Sequence, residues 1–220
     1  MKSLFLIAIM FLLTGCVTTK VFDDTKPQTK QEPQIQQPQK EDKTRAYREL
    51  ITALESKCEL GDIKACNDIG VNYENLNEYK KAVEYYKIAC DGGIERGCAN
   101  LGLMYENAKG VDKNPQMALE IYKTSCNNGG ELSCYYLANA YRKGDIVVQD
   151  YAVAMDAYTS ACKLGDVPSC ANIGSMYELG LGVQKDEQRA YKIYKVACYR
   201  GLKKACVHMK RLANKLGVQQ

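Results

Sequence analysis

Apolar and polar residues divide the chain into three stretches. Leu4 to Leu13 is an unbroken run of ten apolar residues behind Lys2. Such a run is too short to cross a bilayer as a mature helix and fits the core of an export signal. From residue 17 to about 44 apolar residues nearly vanish, and Gln28, Gln31, Gln34, Gln36, Gln37 and Gln39 alternate with Pro27, Pro33 and Pro38. Nothing there can offset the entropy of ordering, so the stretch reads as a flexible tether spanning roughly 30 Å. From 45 to about 215 apolar, small and aromatic positions recur with a fixed period, and residues 216–220 read as a tail.

Five cysteine pairs mark the period: Cys58/Cys66, Cys90/Cys98, Cys126/Cys134, Cys162/Cys170 and Cys198/Cys206. Seven residues separate the members of each pair, and the pairs step by 32, 36, 36 and 36 residues. A Gly stands three after each first Cys (Gly61, Gly93, Gly129, Gly165, Gly201). Ala stands eight before it (Ala82, Ala118, Ala154, Ala190) and Tyr four before it (Tyr86, Tyr122, Tyr158, Tyr194). After the second Cys come an apolar residue at plus three, a small one at plus four (Gly70, Gly102, Ala138, Gly174) and Tyr at plus seven (Tyr73, Tyr105, Tyr141, Tyr177). Positions 0, 3, 4 and 7 share one helix face, and so do minus 8, minus 4 and 0. Each unit is therefore expected to be a helix A, a loop, and a helix B ending at its Cys. The small residue at plus four admits a closely packed partner, and the Gly after helix B suits a left-handed cap. The Tyr columns read as core. A repeat of this length stacks into a solenoid, here with four full hairpins between two half-units.

Composition narrows the chemistry. The 220 residues are 46% hydrophobic and 25% charged with a formal charge of +4, which gives no case for a nucleic-acid binder. The single His, His208, excludes a His-rich metal site and most acid-base chemistry, and no cofactor motif occurs. The apolar run ends in Leu13-Thr14-Gly15-Cys16, which resembles a bacterial lipobox with cleavage after residue 15 and lipidation of Cys16. That implies export and a stable lipid anchor in the envelope, on the outer membrane in view of Val17 behind the Cys, with the folded part on the periplasmic or surface face.

The repeat itself resembles the Sel1-like repeat, a relative of the tetratricopeptide repeat. The paired cysteines resemble the Helicobacter cysteine-rich protein family. The resemblance implies an all-α, right-handed solenoid of antiparallel helix pairs, working as a monomer. For an exported chain, disulfides are the expected chemistry. Periodicity admits two pairings: within each Cys-x7-Cys unit, or across a hairpin as Cys66–Cys90 and its copies, which leaves Cys58 and Cys206 over. The first uses every cysteine, and the resemblance implies the same. A zinc site would need four thiolates from neighbouring units in a reducing compartment.

Two functional readings follow. Opposite the buried stripe of helix A lie plus two, plus five and plus nine, with Asp68, Asn100, Tyr136 and Asn172, then Asn139 and Ser175, as candidate contacts to a peptide, a protein or a peptidoglycan-like ligand. The basic end of the array (Lys203, Lys204, Lys210, Arg211, Lys215), with His208, reads as a solubilising cap. The second reading is weak β-lactam binding or hydrolysis, implied by the cysteine-rich family. Its formal carriers are Ser160 and Lys163, which match Ser-x-x-Lys. They straddle a repeat Cys, and no Ser-Asp-Asn or Lys-Thr-Gly accompanies them.

Overall fold

The structure, a computed structural model, describes residues 38–218. The apolar run, Cys16 and most of the tether lie outside the described residues. Within them the chain is all-α. Helix α1 (Pro38–Glu59) is a half-unit. Four A/B hairpins follow: α2 (Ile63–Asn75) with α3 (Tyr79–Asp91), α4 (Glu95–Glu106) with α5 (Pro115–Asn127), α6 (Glu131–Lys143) with α7 (Tyr151–Leu164), and α8 (Val167–Leu179) with α9 (Glu187–Tyr199). Helix α10 (Lys203–Leu216) closes the array as a last A helix. Helix α1 starts at Pro38, within the stretch read as tether, and among its described side chains the first buried one is Ile51.

The helices start and stop where their sequence supplies caps. Asp62 accepts from the N–H groups of Lys64 and Ala65 at the head of α2, and Asp150 does the same for Ala152 and Val153 at α7. Asn114, Asp166 and Asp186 cap α5, α8 and α9, and Pro115 takes the first position of α5, where its missing donor costs nothing. Every B helix ends in the same turn. The Gly three after its Cys has φ between 82° and 127° and donates to the Cys carbonyl. The next N–H reaches back to the carbonyl just before the Cys (Ile94 to Ala89, 2.8 Å; Leu202 to Ala197, 3.1 Å). This Schellman closure reverses the chain within three or so residues, and only a residue tolerant of positive φ sits comfortably at its bend.

The same turn brings each cysteine pair together. Cys58 is bonded to Cys66 (Cα–Cα 5.0 Å), Cys90 to Cys98 (4.4 Å), Cys126 to Cys134 (4.6 Å), Cys162 to Cys170 (4.9 Å) and Cys198 to Cys206 (4.7 Å). The pairing across a hairpin is thereby ruled out. The two members of a pair are not equivalent, a difference that the spacing alone does not show. Cys66, Cys98, Cys134 and Cys170 sit in the first turn of an A helix and are buried, so they belong to the core and not to an accessible site. Their partners at the ends of the B helices are only half-buried, and so is Cys206 on the terminal helix α10, where no further repeat covers it. Cys170 has one additional cover. Arg200, just past α9, donates to the Gly165 carbonyl (3.2 Å) and brings its guanidinium within 3.8 Å of the Cys170 sulfur.

The rest of the core is the pair of columns read from the sequence. Ala82, Ala118, Ala154 and Ala190 are fully buried, as are Tyr86, Tyr122 and Tyr158, with Tyr194 nearly so. The rings of Tyr86, Tyr122 and Tyr194 lie against Gly70, Gly102 and Gly174 of their own hairpins. Adjacent repeats are also bridged by polar contacts. The Glu95 carboxylate at the head of α4 accepts from Ser133 N–H (2.9 Å) and Ser133 Oγ (3.3 Å) at the head of α6. Lys109 pairs with Glu74 (2.9 Å), and Arg211 with Glu178.

Candidate ligand-binding groove

Each buried tyrosine carries one hydroxyl that must find a partner away from water. In three repeats that partner is a Glu at plus eight on helix A. Tyr86 donates to Glu74 Oε2 (2.9 Å), Tyr122 to Glu106 Oε2 (3.0 Å) and Tyr194 to Glu178 Oε2 (3.1 Å). The third repeat has Arg142 at that position. There Tyr158 donates to Asn139 Oδ1 (2.7 Å) and accepts from Arg142 Nε (2.9 Å). This polar ladder was legible as a Glu column in the repeat register, but no signal along one helix says which residue of the other it meets.

Burial, and next the Glu carboxylates beside them, push the hydroxyls of Tyr86, Tyr122 and Tyr194 well above the usual tyrosine range. Their native pKa lies above the unfolded one. Their contribution to stability is therefore whole below about pH 10 and is lost as the pH climbs past it. We expect ultraviolet titration to show these three ionising only as helix is lost in far-ultraviolet circular dichroism. A single smooth tyrosinate transition near pH 10 with helicity retained would contradict the ladder.

On the A-helix side a groove of about 470 Å³ runs across α6, α8 and α10. Tyr135 stands at one end, Asn172 and Ser175 in the middle, and Lys203, Lys204 and His208 at the other. The His208 ring stacks on Tyr194 with centroids 5.0 Å apart, and the Arg211 guanidinium lies 3.3 Å from its Nδ1.

Of the expected contact residues, the structure brings Asn172 and Ser175 into this groove and leaves the others elsewhere. Asn139 is taken up by Tyr158. Tyr136 is half-buried in a ring cluster, stacked on Tyr122 (5.4 Å) and edge-on to Tyr135 (5.4 Å). Asp68 is exposed on α2 and accepts from Asn67 Nδ2 (3.2 Å), and Asn100 is half-exposed on α4. Tyr135, at plus one, falls outside the open face that helical spacing defines at plus two, plus five and plus nine. Lys203, Lys204 and His208 line the groove as well as ending the array.

Ser160 and Lys163 lie exposed near the end of α7, where the Ser160 hydroxyl donates to the Asp156 carbonyl (3.0 Å). Among the described residues no group of His, Cys, Asp and Glu is placed to hold a metal ion, and no helix is long and apolar enough to cross a membrane.

Stacked helix hairpins, each packed on its neighbours, define a helical-repeat scaffold, the class of protein that presents an extended surface to other proteins. The Sel1 repeat model matches residues 63–94, 96–130, 132–166 and 167–202, more than half of the chain, and the chain belongs to the Sel1 repeat family. No curated sequence matches it. Among solved structures, a Sel1 repeat protein from Oxalobacter formigenes is similar, with TM-score 0.71 and 28% identity over 78% of this chain and 71% of that one. So is c5321, a protective antigen present in uropathogenic Escherichia coli strains, with TM-score 0.61 and 24% identity, covering 77% of this chain but only 45% of that one. Helicobacter pylori cysteine rich protein B aligns with TM-score 0.46 and 28% identity over 60% of this chain and 96% of that one. Five disulfides in a chain of this size point to an oxidising, extracytoplasmic compartment.

Proposed function

We propose that this protein is an exported, lipid-anchored recognition scaffold that holds an extended peptide or a segment of an envelope protein in the groove across α6, α8 and α10. The observation that carries this reading is the convergence of three successive A helices on one groove whose middle offers the Asn172 amide, with the Ser175 hydroxyl beside it interacting with the Tyr194 hydroxyl. A carboxamide both donates and accepts, which matches the alternating N–H and C=O of an extended backbone. The anchor rests on Cys16 behind the apolar run, and the tether would let the array stand off the membrane.

The test is capture of peptides from a hexapeptide array by the full-length oxidised chain, followed by affinity measurement on captured peptides. Asn172→Ala is expected to weaken binding about tenfold, the cost of leaving backbone groups of the peptide without partners. Ser175→Ala is expected to weaken it less. Unchanged affinity in both variants would remove the groove from the account. Incorporation of a labelled fatty acid, lost in Cys16→Ala, checks the anchor separately.

A further inference from the structure

The groove is not uniform along its length. Its α6 end is the Tyr135 ring, which joins the Tyr136 and Tyr158 rings at centroid distances of 5.4 Å and 6.4 Å. Its middle, on α8, is neutral and hydrogen-bonding. Its α10 end carries the ammonium groups of Lys203 and Lys204 and the His208 ring, and no carboxylate lines the groove anywhere. Among the described residues neither lysine takes part in an ion pair. Glu178, further along on α8, is engaged by Arg211 and the Tyr194 hydroxyl. Helix α10 also begins here without a side-chain cap, behind Leu202, and has no acidic residue in its first turn. Its N-terminal dipole therefore adds to the lysines.

Resting on the groove reading above, we propose that the occupant is an acidic peptide segment, bound with Asp or Glu side chains at the α10 end and an aromatic or apolar side chain against Tyr135 at the α6 end. Charge complementarity selects this occupant over a neutral or basic one. A hexapeptide reaches about 20 Å when fully extended, more than the diameter of about 10–12 Å of one helix with its side chains, so it can touch more than one A helix. The lysines are exposed, so their pull is modest and screened by salt. Discrimination between acidic and neutral peptides should be about tenfold at low ionic strength for the two together, shrinking at high salt.

The experiment is a positional-scanning library of hexapeptides, each made both as the amide and as the free acid, with each position fixed in turn as Asp, Asn, Lys, Tyr or Ala, captured by the full-length oxidised protein at low and high salt. The expected result is selection of Asp over Asn at one end and of Tyr at the other, with the acid preference falling at high salt. That preference should disappear in the double variant Lys203→Gln, Lys204→Gln. It should persist in Lys123→Gln, Lys192→Gln, which removes the same charge from the B helices. Peptide capture without acid selection, or equal loss in both double variants, overturns the inference. If Asn172→Ala still weakens that capture, the groove reading stands alone. Capture that requires a free C-terminal carboxylate also overturns it, because side-chain acids are then not what the lysines read. Failure to capture any peptide removes the groove reading and this inference together.

Discussion

Full reduction will unfold the array. The two cysteines of each bonded pair are 8 residues apart in sequence, and closing so short a loop is worth roughly 2.5 kcal/mol in the chain-entropy account. Five junctions, each touching only its neighbours, add to about 12 kcal/mol. Whole domains are stable by only about 5–15 kcal/mol. A phosphine reductant at neutral pH should therefore abolish most of the far-ultraviolet helix signal, and reoxidation in dilute solution should restore it. The single-junction variant Cys126→Ala, Cys134→Ala tests the additivity. It should lose about 2.5 kcal/mol and, by weakening the middle of a one-dimensional stack, split one unfolding transition into two. Helicity and thermal midpoint unchanged after complete reduction, verified by thiol alkylation, would show that the staples are decorative. The same arithmetic explains why the chemistry fits an oxidising compartment: a cytosolic copy would have to do without it.

What the sequence made legible follows from whether a signal is local. The five bonded pairs, the hairpin boundaries, the glycine caps and the Ala and Tyr columns all depend on spacing within one repeat. Spacing is preserved when helices stack. The unequal burial within a pair, with Cys98 and Cys170 inside and Cys90 and Cys162 half-exposed, depends on the neighbouring helices and leaves no mark in the spacing. Helix α1 begins at Pro38, and from residue 41 to 50 no described side chain is buried, so no apolar period marks its start. The groove was only partly legible. Asn172 and Ser175 sit on the open face as their column position implied. Asn139, one repeat earlier in the column of Ser175, has turned inward to satisfy Tyr158, because Arg142 stands where other repeats keep an acid. Whether a polar residue serves the core or the surface depends on a partner from the other helix. Likewise, Lys203 and Lys204 read as a terminal cap because sequence order says where the array ends, but that α10 also walls the groove beside α8 depends on how the helices stack.

The same departure of the third repeat makes a prediction about close packing. Gly102 faces the fully buried ring of Tyr122. A methyl group there would press into the ring, with Cδ1 and Cζ at 2.8 Å and Cε1 nearer still. At Gly70 the nearest atoms of Tyr86 are 2.7 Å away, and at Gly174 those of Tyr194 are 3.1 Å away. Replacing Gly by Ala inside a helix gains about 0.8–1 kcal/mol of intrinsic preference. Overpacking a rigid site costs about 1–3 kcal/mol, and the displaced Tyr122 hydroxyl would also lose Glu106. Gly102→Ala should therefore destabilise by about 2 kcal/mol, Gly70→Ala by somewhat less, and Gly174→Ala should be near neutral. Denaturant midpoints measured on the oxidised protein give the order directly. The third repeat already carries Ala at this position, Ala138, and its Tyr158 hydroxyl is held by Asn139 and Arg142 rather than by a Glu. If those two differences belong together, the triple variant Gly102→Ala, Leu103→Asn, Glu106→Arg should recover part of what Gly102→Ala alone loses. The double variant Leu103→Asn, Glu106→Arg should lose stability on its own, because it takes the Glu106 carboxylate from Tyr122 without moving the ring. Strictly additive effects across this set would mean that the small residue at plus four and the partner of the tyrosine hydroxyl are independent features of the repeat.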